Sequence, residues 1–215
     1  MDNKKTTIED IKRFAIDSFS HVPSSHDWDH TLRVHKMCMH IGPIEGADMI
    51  VLQIAAYLHD IGRRLQDESM GSVCHAEKGA ELAVELLSNI SISEQQKANI
   101  IHSIKSHRFR GNSRPETLEA KVLFDADKLD AIGAIGIGRA FQFAGEVGAR
   151  LHNPRINPED TESYTIDDTG YREYKLKLSK IKDHMLTSEG RRIAEKRHEF
   201  MEIFFDRFLL EYKCG

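Results

Sequence analysis

Apolar residues recur at helical spacing along nearly the whole chain, whereas the alternating pattern of strands is rare. Near the start, Ile8, Ala15 and Phe19 share one side of a helix that Thr6 or Thr7 would cap. The pattern therefore predicts an all-α fold whose first helix ends at about Phe19.

The second predicted helix begins near residues 26–29 and places His30 on the same apolar stripe as Ile41. A histidine on such a stripe points toward the core. Gly42 and Pro43 are predicted to end this helix, because proline interrupts the hydrogen bonds of a helix interior.

The third predicted helix covers about 47–61, and Gly62 is predicted to end it in the left-handed conformation. His59 and Asp60 then fall in its last turn. Adjacent helical residues point about 100° apart, so these two side chains can converge on an ion that lies between their directions.

Further helices are predicted at about 75–89, 94–107, 117–126, 171–185 and 188–212. Ser93 and Gln96 form a capping box before the second of these. Residues 152–170 are polar and rich in Pro, Asp and Thr, and they are predicted to be the one long loop or lid. The aromatic flank of the last helix is expected to close the core, with a homodimer face as the alternative.

Small residues repeat over 131–140, where they predict close packing of the backbone. A phosphate-binding loop is rejected there because no strand precedes the glycines and no Gly-Lys-Ser/Thr ending follows them.

The composition indicates one domain over 1–215, with a core at about 20–150 and the C-terminal helices 171–212 packed on it. The 30 Lys and Arg residues and 34 Asp and Glu residues give a net charge of −4, which provides no basic field for duplex nucleic acid or an anionic membrane.

There is no apolar run of about 18 residues and no secretory signal at the polar start, so a cytoplasmic protein is expected. The three cysteines are far apart and are expected to be reduced thiols.

The candidate chemistry comes from two imidazoles and two carboxylates: His30, His59, Asp60 and Asp127. Mixed nitrogen and oxygen ligands suit a divalent ion such as Mn, Fe, Co, Ni, Zn or Mg and leave positions open for water and substrate. Hydrolysis is the first reaction that such an open site suggests.

The chain resembles the small stand-alone members of the HD-domain metal-dependent phosphohydrolase superfamily. Four segments carry the resemblance, in this order: Leu58-His59-Asp60-Ile61-Gly62, His102-x4-His107-Arg108-Phe109, the run from Asp125 to Gly136, and Leu186-Thr187-Ser188-Glu189-Gly190-Arg191-Arg192. The resemblance implies a helical HD fold in which His30, His59, Asp60 and Asp127 bind one divalent ion. It also implies hydrolysis of a phosphate ester or phosphoanhydride, with a nucleotide as the expected small-molecule substrate, since some similar proteins cleave nucleoside triphosphates.

Several other residues have two readings. His102 and His107 are predicted to contact phosphate or protonate the leaving oxygen, although either could be structural and a second ion is conceivable. Lys128 and Arg63 are predicted to bind phosphate, against the alternatives of a solvated lysine and an arginine that offsets the helix dipole. His75 is predicted to be a surface or cap residue.

Three further residues lie close to these candidates in the sequence. Arg64 is expected to be a helix-end arginine that offsets the helix dipole, His26 is expected not to be a ligand, and Asp130 is a candidate to orient a ligand or a cation. Asp60 is the candidate that takes the proton from the attacking water.

Two other function classes remain open. One is a metal-loaded HD module that senses nucleotides without turning them over. The other is an HD-type oxygenase with two irons, which would need further clustered ligands from His75, His102 and His107.

Overall fold

The computed structural model describes residues 6–19, 28–108 and 113–213, and these residues fold into helices joined by turns and one long loop. The predicted all-α class is confirmed. Within the described ranges the extended pairing is limited to an isolated parallel bridge between Thr6 and Ile90. No helix in this part of the chain is long and apolar enough to span a membrane. The chain divides into two compact units, Met1–Asp127 and Lys128–Gly215.

The first unit is built around one helix that is apolar on nearly every side. Its elements are α1 (Ile8–Phe19), α2 (Trp28–Glu45), α3 (Met49–Leu58), α4 (Arg63–Glu68), α5 (His75–Leu87), α6 (Glu94–Ser106) and most of α7 (Leu118–Asp130). Helix α3 is buried from Leu52 to Leu58 except at Gln53, and it packs against α1, α2 and α6. A helix that is apolar all round belongs at the centre of a core, and this position places its C-terminal end inside the unit.

The predicted N-terminal caps of α1 and α6, which depend only on neighbouring residues, are confirmed. Asp10 N donates to Oγ1 of Thr7 at the start of α1, and Ser93 and Gln96 form the predicted capping box of α6. Helix α7 extends to Asp130, four residues beyond the predicted end.

The prediction that Gly42 and Pro43 end α2 is wrong. The helix continues through Pro43 to Glu45. The residue after the helix is Gly46, which has φ of 82°, and the N–H groups of Gly46 and Ala47 both donate to the carbonyl oxygen of Gly42. Proline in the last turn removes only one helical hydrogen bond, and the left-handed glycine is the stronger stop signal. Helix α2 begins at Trp28; His26 and Asp27 lie outside the described residues.

The prediction of a left-handed Gly62 is also wrong, because its φ is −82°. Helix α3 ends at Leu58, and a turn over 59–62 leads into the short helix α4, which the sequence pattern did not predict. The glycine serves close packing instead. A Cβ at this position would lie 2.3 Å from the carbonyl oxygen of His75 and 2.7 Å from the backbone nitrogen of Gly79. Gly62 thus lets α5 approach the chain directly after His59 and Asp60.

The second unit contains α8 (Gly133–Glu146), a loop with a 3-10 turn at Pro158–Asp160, α9 (Gly170–Leu176), a 3-10 segment (Leu178–His184) and α10 (Ser188–Tyr212). The loop and α10 agree with the sequence pattern. The single helix predicted at 171–185 changes to 3-10 geometry after Leu176.

Close backbone packing explains two glycines of the second unit. A Cβ at Gly136 would lie 2.1 Å from the carbonyl oxygen of Ala131, and Gly133 has φ of 77° and packs against the side chain of Arg197. These contacts support the packing interpretation at Gly133 and Gly136, whereas a Cβ at Gly138 would have nothing within 4 Å.

Aromatic rings form much of the core of the second unit. Phe205 of α10 is buried and stacks on Tyr174 of α9, with 4.2 Å between the ring centroids. It also stacks on Phe141 of α8. Helix α10 therefore closes the core of its own unit; its use as a homodimer face stays a prediction.

Candidate metal centre

His30 and Asp127 meet inside the first unit, although α2 and α7 supply them. His30 lies on the inner stripe of α2 and is fully buried, as its spacing predicted. Its Nε2 is 3.3 Å from Oδ1 of Asp127 and 3.4 Å from Nε2 of His59. The ligand atoms of these three residues all lie within 4.8 Å of one another. They form the first ligand group of the site.

His59 directly follows the last residue of α3, and the end of that helix orients its ring. Nδ1 is 2.8 Å from the carbonyl oxygen of Ala56, which can only accept, so Nδ1 carries the hydrogen and Nε2 presents a lone pair. Burial lowers the pKa of His59 to about 4, and the charge of Asp60 opposes that shift. The ring is therefore neutral at pH 7, which is the state that a metal ligand requires.

Asp60 faces two groups of histidines. Its Oδ2 is 3.8 Å from Nε2 of His30 and 3.9 Å from Nε2 of His59. Its Oδ1 is 3.3 Å from Nε2 of His75 and 3.4 Å from Nε2 of His107. The side chain is 1% exposed, so this carboxylate is surrounded by nitrogen groups instead of water. Asp60, His75 and His107 form a second ligand group.

The prediction that His75 is a surface or cap residue is wrong. His75 is the first residue of α5, yet it is 3% exposed. Burial lowers the pKa of its ring to about 3. The signal that could have located it is indirect: Gly62 and Gly79 are the small residues that let α5 approach the segment carrying His59 and Asp60.

His107 and His102 have separate environments despite belonging to one motif. His107 is buried, and its Nδ1 donates to the carbonyl oxygen of Ile104 at 2.6 Å, which turns Nε2 toward Asp60. The Nε2 of His102 instead accepts a hydrogen bond from the backbone nitrogen of Glu116 at 3.0 Å. Of these two histidines, only His107 belongs to one of the ligand groups found among the described residues.

Of the predicted cations, Arg63 contacts the site. Its Nη2 is 3.3 Å from both carboxylate oxygens of Asp60 and 3.4 Å from Nε2 of His75. Arg64 lies next to it but is exposed and pairs with Glu68. Of these two adjacent arginines, Arg63 is therefore the one in contact with the site.

The residues just after Asp127 belong to the second unit. Lys128 follows Asp127 in α7. Asp130, a candidate to orient a cation, pairs with Arg139 at 2.9 Å.

The donor set fits a divalent ion. Nitrogen and oxygen atoms that share an ion at about 2.0–2.2 Å lie roughly 3–3.5 Å apart, and the distances from His30 to His59 and Asp127 fall in that range. Those from Asp60 to His30 and His59 are slightly longer. Two imidazoles with two carboxylates suit the ions of intermediate hardness.

The chain is similar to known proteins over most of its length. The model of the HD domain family matches residues 27–132. The uncharacterized protein YpgQ of Bacillus subtilis (strain 168) is 33% identical over 198 residues, which are 90% of this chain and 87% of YpgQ. An HD-superfamily hydrolase from Bacillus thuringiensis superposes with a TM-score of 0.77 at 31% identity, over 97% of each chain. The structure of Bacillus subtilis YpgQ in complex with ADP gives a TM-score of 0.72 at 30% identity, over 95% of this chain and 94% of that one.

Proposed function

This chain belongs to the HD-domain hydrolases, and on that basis we propose that it is a metal-dependent phosphohydrolase acting on a nucleotide phosphate ester or phosphoanhydride. The observation that supports the proposal is that the ligand atoms of His30, His59 and Asp127 lie within 4.8 Å of one another, with Oδ2 of Asp60 3.8 Å from Nε2 of His30 and 3.9 Å from Nε2 of His59. A nucleotide is proposed as the substrate class because the related YpgQ was solved in complex with ADP.

The four residues that would hold the ion are His30, His59, Asp60 and Asp127. A divalent ion held there supplies Lewis acidity toward a phosphoryl oxygen and lowers the pKa of water. The first contribution of the protein itself is to hold these ligands in place. His59 is kept neutral by burial and oriented by Ala56, and Asp127, whose side chain is 14% exposed, lies nearer to solvent than His30.

Charge on the phosphoryl group is proposed to be stabilised by Arg63, with Lys128 as a second predicted contact. The guanidinium of Arg63 lies beside Asp60, and an arginine is well suited to bind phosphate oxygens. Asp60 is the proposed acceptor of the proton that water loses. His107 is proposed to position Asp60 instead of donating a proton, because its Nδ1 is committed to Ile104 and its Nε2 faces Asp60.

A panel assay tests this function. Metal-free protein would be reloaded separately with Mn, Mg, Zn, Co, Ni and Fe, and then incubated with nucleoside mono-, di- and triphosphates and cyclic nucleotides. Chromatography and release of phosphate or pyrophosphate report turnover. We expect hydrolysis of at least one nucleotide with metal and none after chelation; nucleotide that binds but stays intact would instead identify a sensor.

A second candidate is favoured by the ligand group of Asp60, His75 and His107. These residues supply the additional ligands that an oxygenase with two irons would need. Oxygen consumption by the iron-loaded protein, measured beside the nucleotide panel, separates the two activities.

A further inference from the structure

The second unit contains a basic pocket of about 430 Å³, and all the residues that line it belong to this unit. Helix α10 supplies three cations to the lining: Arg192, Lys196 and Arg197. None of the described residues that line the pocket is acidic, although the whole chain carries a net charge of −4. A pocket of this size accommodates a small organic molecule, and its charge favours an anion.

The two arginines of the pocket differ in how far their charge is already balanced. Arg192 donates from Nε and Nη2 to the two carboxylate oxygens of Glu189 at 2.7 and 2.6 Å, so its charge is paired. Arg197 donates from Nη1 to the carbonyl oxygen of Leu129, which is a neutral acceptor. Burial lowers the pKa of the Arg197 guanidinium, and the charge of Asp130 opposes that shift. An anion in the pocket would offset the cost of burying the charge of Arg197.

Lys196 and the start of α8 add further positive charge to the pocket. Lys196 is exposed, and its ammonium group is a compact charge on a flexible stem. Helix α8 begins at Gly133, and its N-cap residue Ile132 makes no side-chain cap. Both residues line the pocket. The first N–H groups of such a helix are hydrogen-bond donors at the positive end of its dipole, and this combination suits phosphate oxygens.

Apolar side chains form much of the remaining lining. Ile135 of α8 and Phe200 of α10 line the pocket and are each 46% exposed, and Ile193 lies beside the cations of α10. Inorganic phosphate alone would leave these apolar side chains in contact with water. A ligand that carries a planar or apolar group next to its charge would cover them. The lining therefore favours an organic phosphate over a bare anion.

We propose that this pocket binds a small organic phosphate, with the phosphate at Lys196 and Arg197 and a planar group against Ile135 and Phe200. The site goes beyond the proposed function, because none of its lining residues belongs to either metal-ligand group. Binding there requires no metal ion. The site also gives the small-residue stretch at 131–140 a function besides close packing, since the first residues of α8 line the pocket.

Isoleucine-methyl NMR of the full-length protein tests the proposal, because Ile132, Ile135 and Ile193 all line the pocket. The probe is phenylphosphonate, whose carbon–phosphorus bond resists hydrolysis. Methylphosphonate lacks the ring of the probe, and phenol lacks its charge. We expect saturable shifts of the pocket isoleucines with phenylphosphonate, weaker binding of methylphosphonate and no binding of phenol. The signal of Ile54, in the core of the first unit, should stay in place.

A chelator separates this site from the metal centre. The shifts should be the same in Mg²⁺ and in chelator, because the pocket itself needs no ion, whereas phosphate binding at the proposed metal centre requires one. Failure of the hydrolase proposal would therefore leave this test intact. Shifts that disappear in chelator would assign the probe to the metal centre and would overturn the pocket proposal.

Variants of exposed lysines identify the cation. Lys196→Gln should weaken phenylphosphonate binding by about five- to tenfold, since it removes a charge-assisted hydrogen bond, and Lys196→Arg should retain binding. Lys213→Gln, at an exposed position just after the last residue of α10, is the matched control and should bind like the wild type. Thermal unfolding verifies that each variant is folded.

Three results would overturn the proposal besides the chelator result. One is the absence of saturable shifts at the pocket isoleucines, and another is equal binding by the wild type and Lys196→Gln. The third is a set of pocket signals that changes with protein concentration before any probe is added, because a second copy of the chain would then cover the pocket.

Discussion

Nε2 of His30 lies 3.3 Å from Oδ1 of Asp127, and the two residues come from helices that are far apart along the chain. Neither side chain can hold an ion alone. Because the two side chains meet, α7 adds a ligand to those that α2 and the end of α3 provide. Asp127 is the more exposed of the two residues. Asp127 is therefore the ligand whose replacement should disturb metal binding with the least damage to the core.

Replacing Asp127 with Asn should remove bound metal and turnover together. The substitution keeps the size of the side chain but removes its charge, and we expect metal affinity to fall by more than about 100-fold, beyond the 10–100-fold effect of groups that only support ligands. Mass spectrometry of dialysed protein and the nucleotide assay measure the two losses. Asp67→Asn, which alters an exposed acid of α4, should retain both. Turnover by a metal-free Asp127→Asn protein would rule out the proposed role.

Replacing Gly62 with Ala should destabilise the protein without changing the side chain of any candidate ligand. The added Cβ would meet backbone atoms of His75 and Gly79 at 2.3 and 2.7 Å, and backbone cannot move aside cheaply. We expect a loss of about 1–3 kcal/mol in the free energy of unfolding, typical of an overpacked core. Urea unfolding of metal-free protein measures it.

Gly138→Ala is the matched control for Gly62→Ala. Gly138 lies inside α8, and nothing is within 4 Å of a Cβ built there. Because alanine favours a helix over glycine, this variant should gain about 0.5–1 kcal/mol. Equal effects of the two substitutions would contradict the packing role of Gly62.

Acid should destabilise the metal-free protein between about pH 6.5 and pH 4. Burial lowers the pKa of His59 to about 4 and that of His75 to about 3, from 6.5 in the unfolded chain. In this window the unfolded state binds more protons than the folded state, so the free energy of unfolding falls as the pH falls. The contribution of these two neutral rings to the free energy of unfolding is fully present above pH 6.5. Urea midpoints measured in the presence of a chelator across this range provide the test.

Two variants separate these histidines from other titrating groups. His75→Asn removes one of the two buried rings, so its stability should change less steeply with pH over the same window. His40→Asn alters an exposed histidine of α2 and should keep the wild-type slope. Parallel curves for all three proteins would show that His75 does not contribute.

The sequence predicted features whose cause is local and missed those that depend on tertiary approach. Ser93 and Gln96 cap α6 as expected because a capping box needs only neighbouring residues. The conformation of Gly62 and the burial of His75 could not be predicted, since both follow from α5 packing against the turn after α3. Helical spacing correctly predicted that His30 points into the core. No spacing rule predicts the contact between Arg63 and the second ligand group.

Replacing Arg172 with Met should loosen the long loop of the second unit. Arg172 is buried and donates from Nη1 to Asp168 at 2.8 Å, from Nε to the hydroxyl of Thr161 at 2.6 Å and from Nη2 to the carbonyl oxygen of Thr161 at 3.0 Å. The variant would leave the buried carboxylate of Asp168 without this partner, a change that typically costs about 3–5 kcal/mol. Because the lost contacts hold the loop at Thr161, faster cleavage by a protease under native conditions should accompany the lower stability. Arg155→Met, at an exposed position of the same loop, should change neither quantity, and an Arg172→Met protein with wild-type cleavage and unfolding would show that the loop is held by its other contacts.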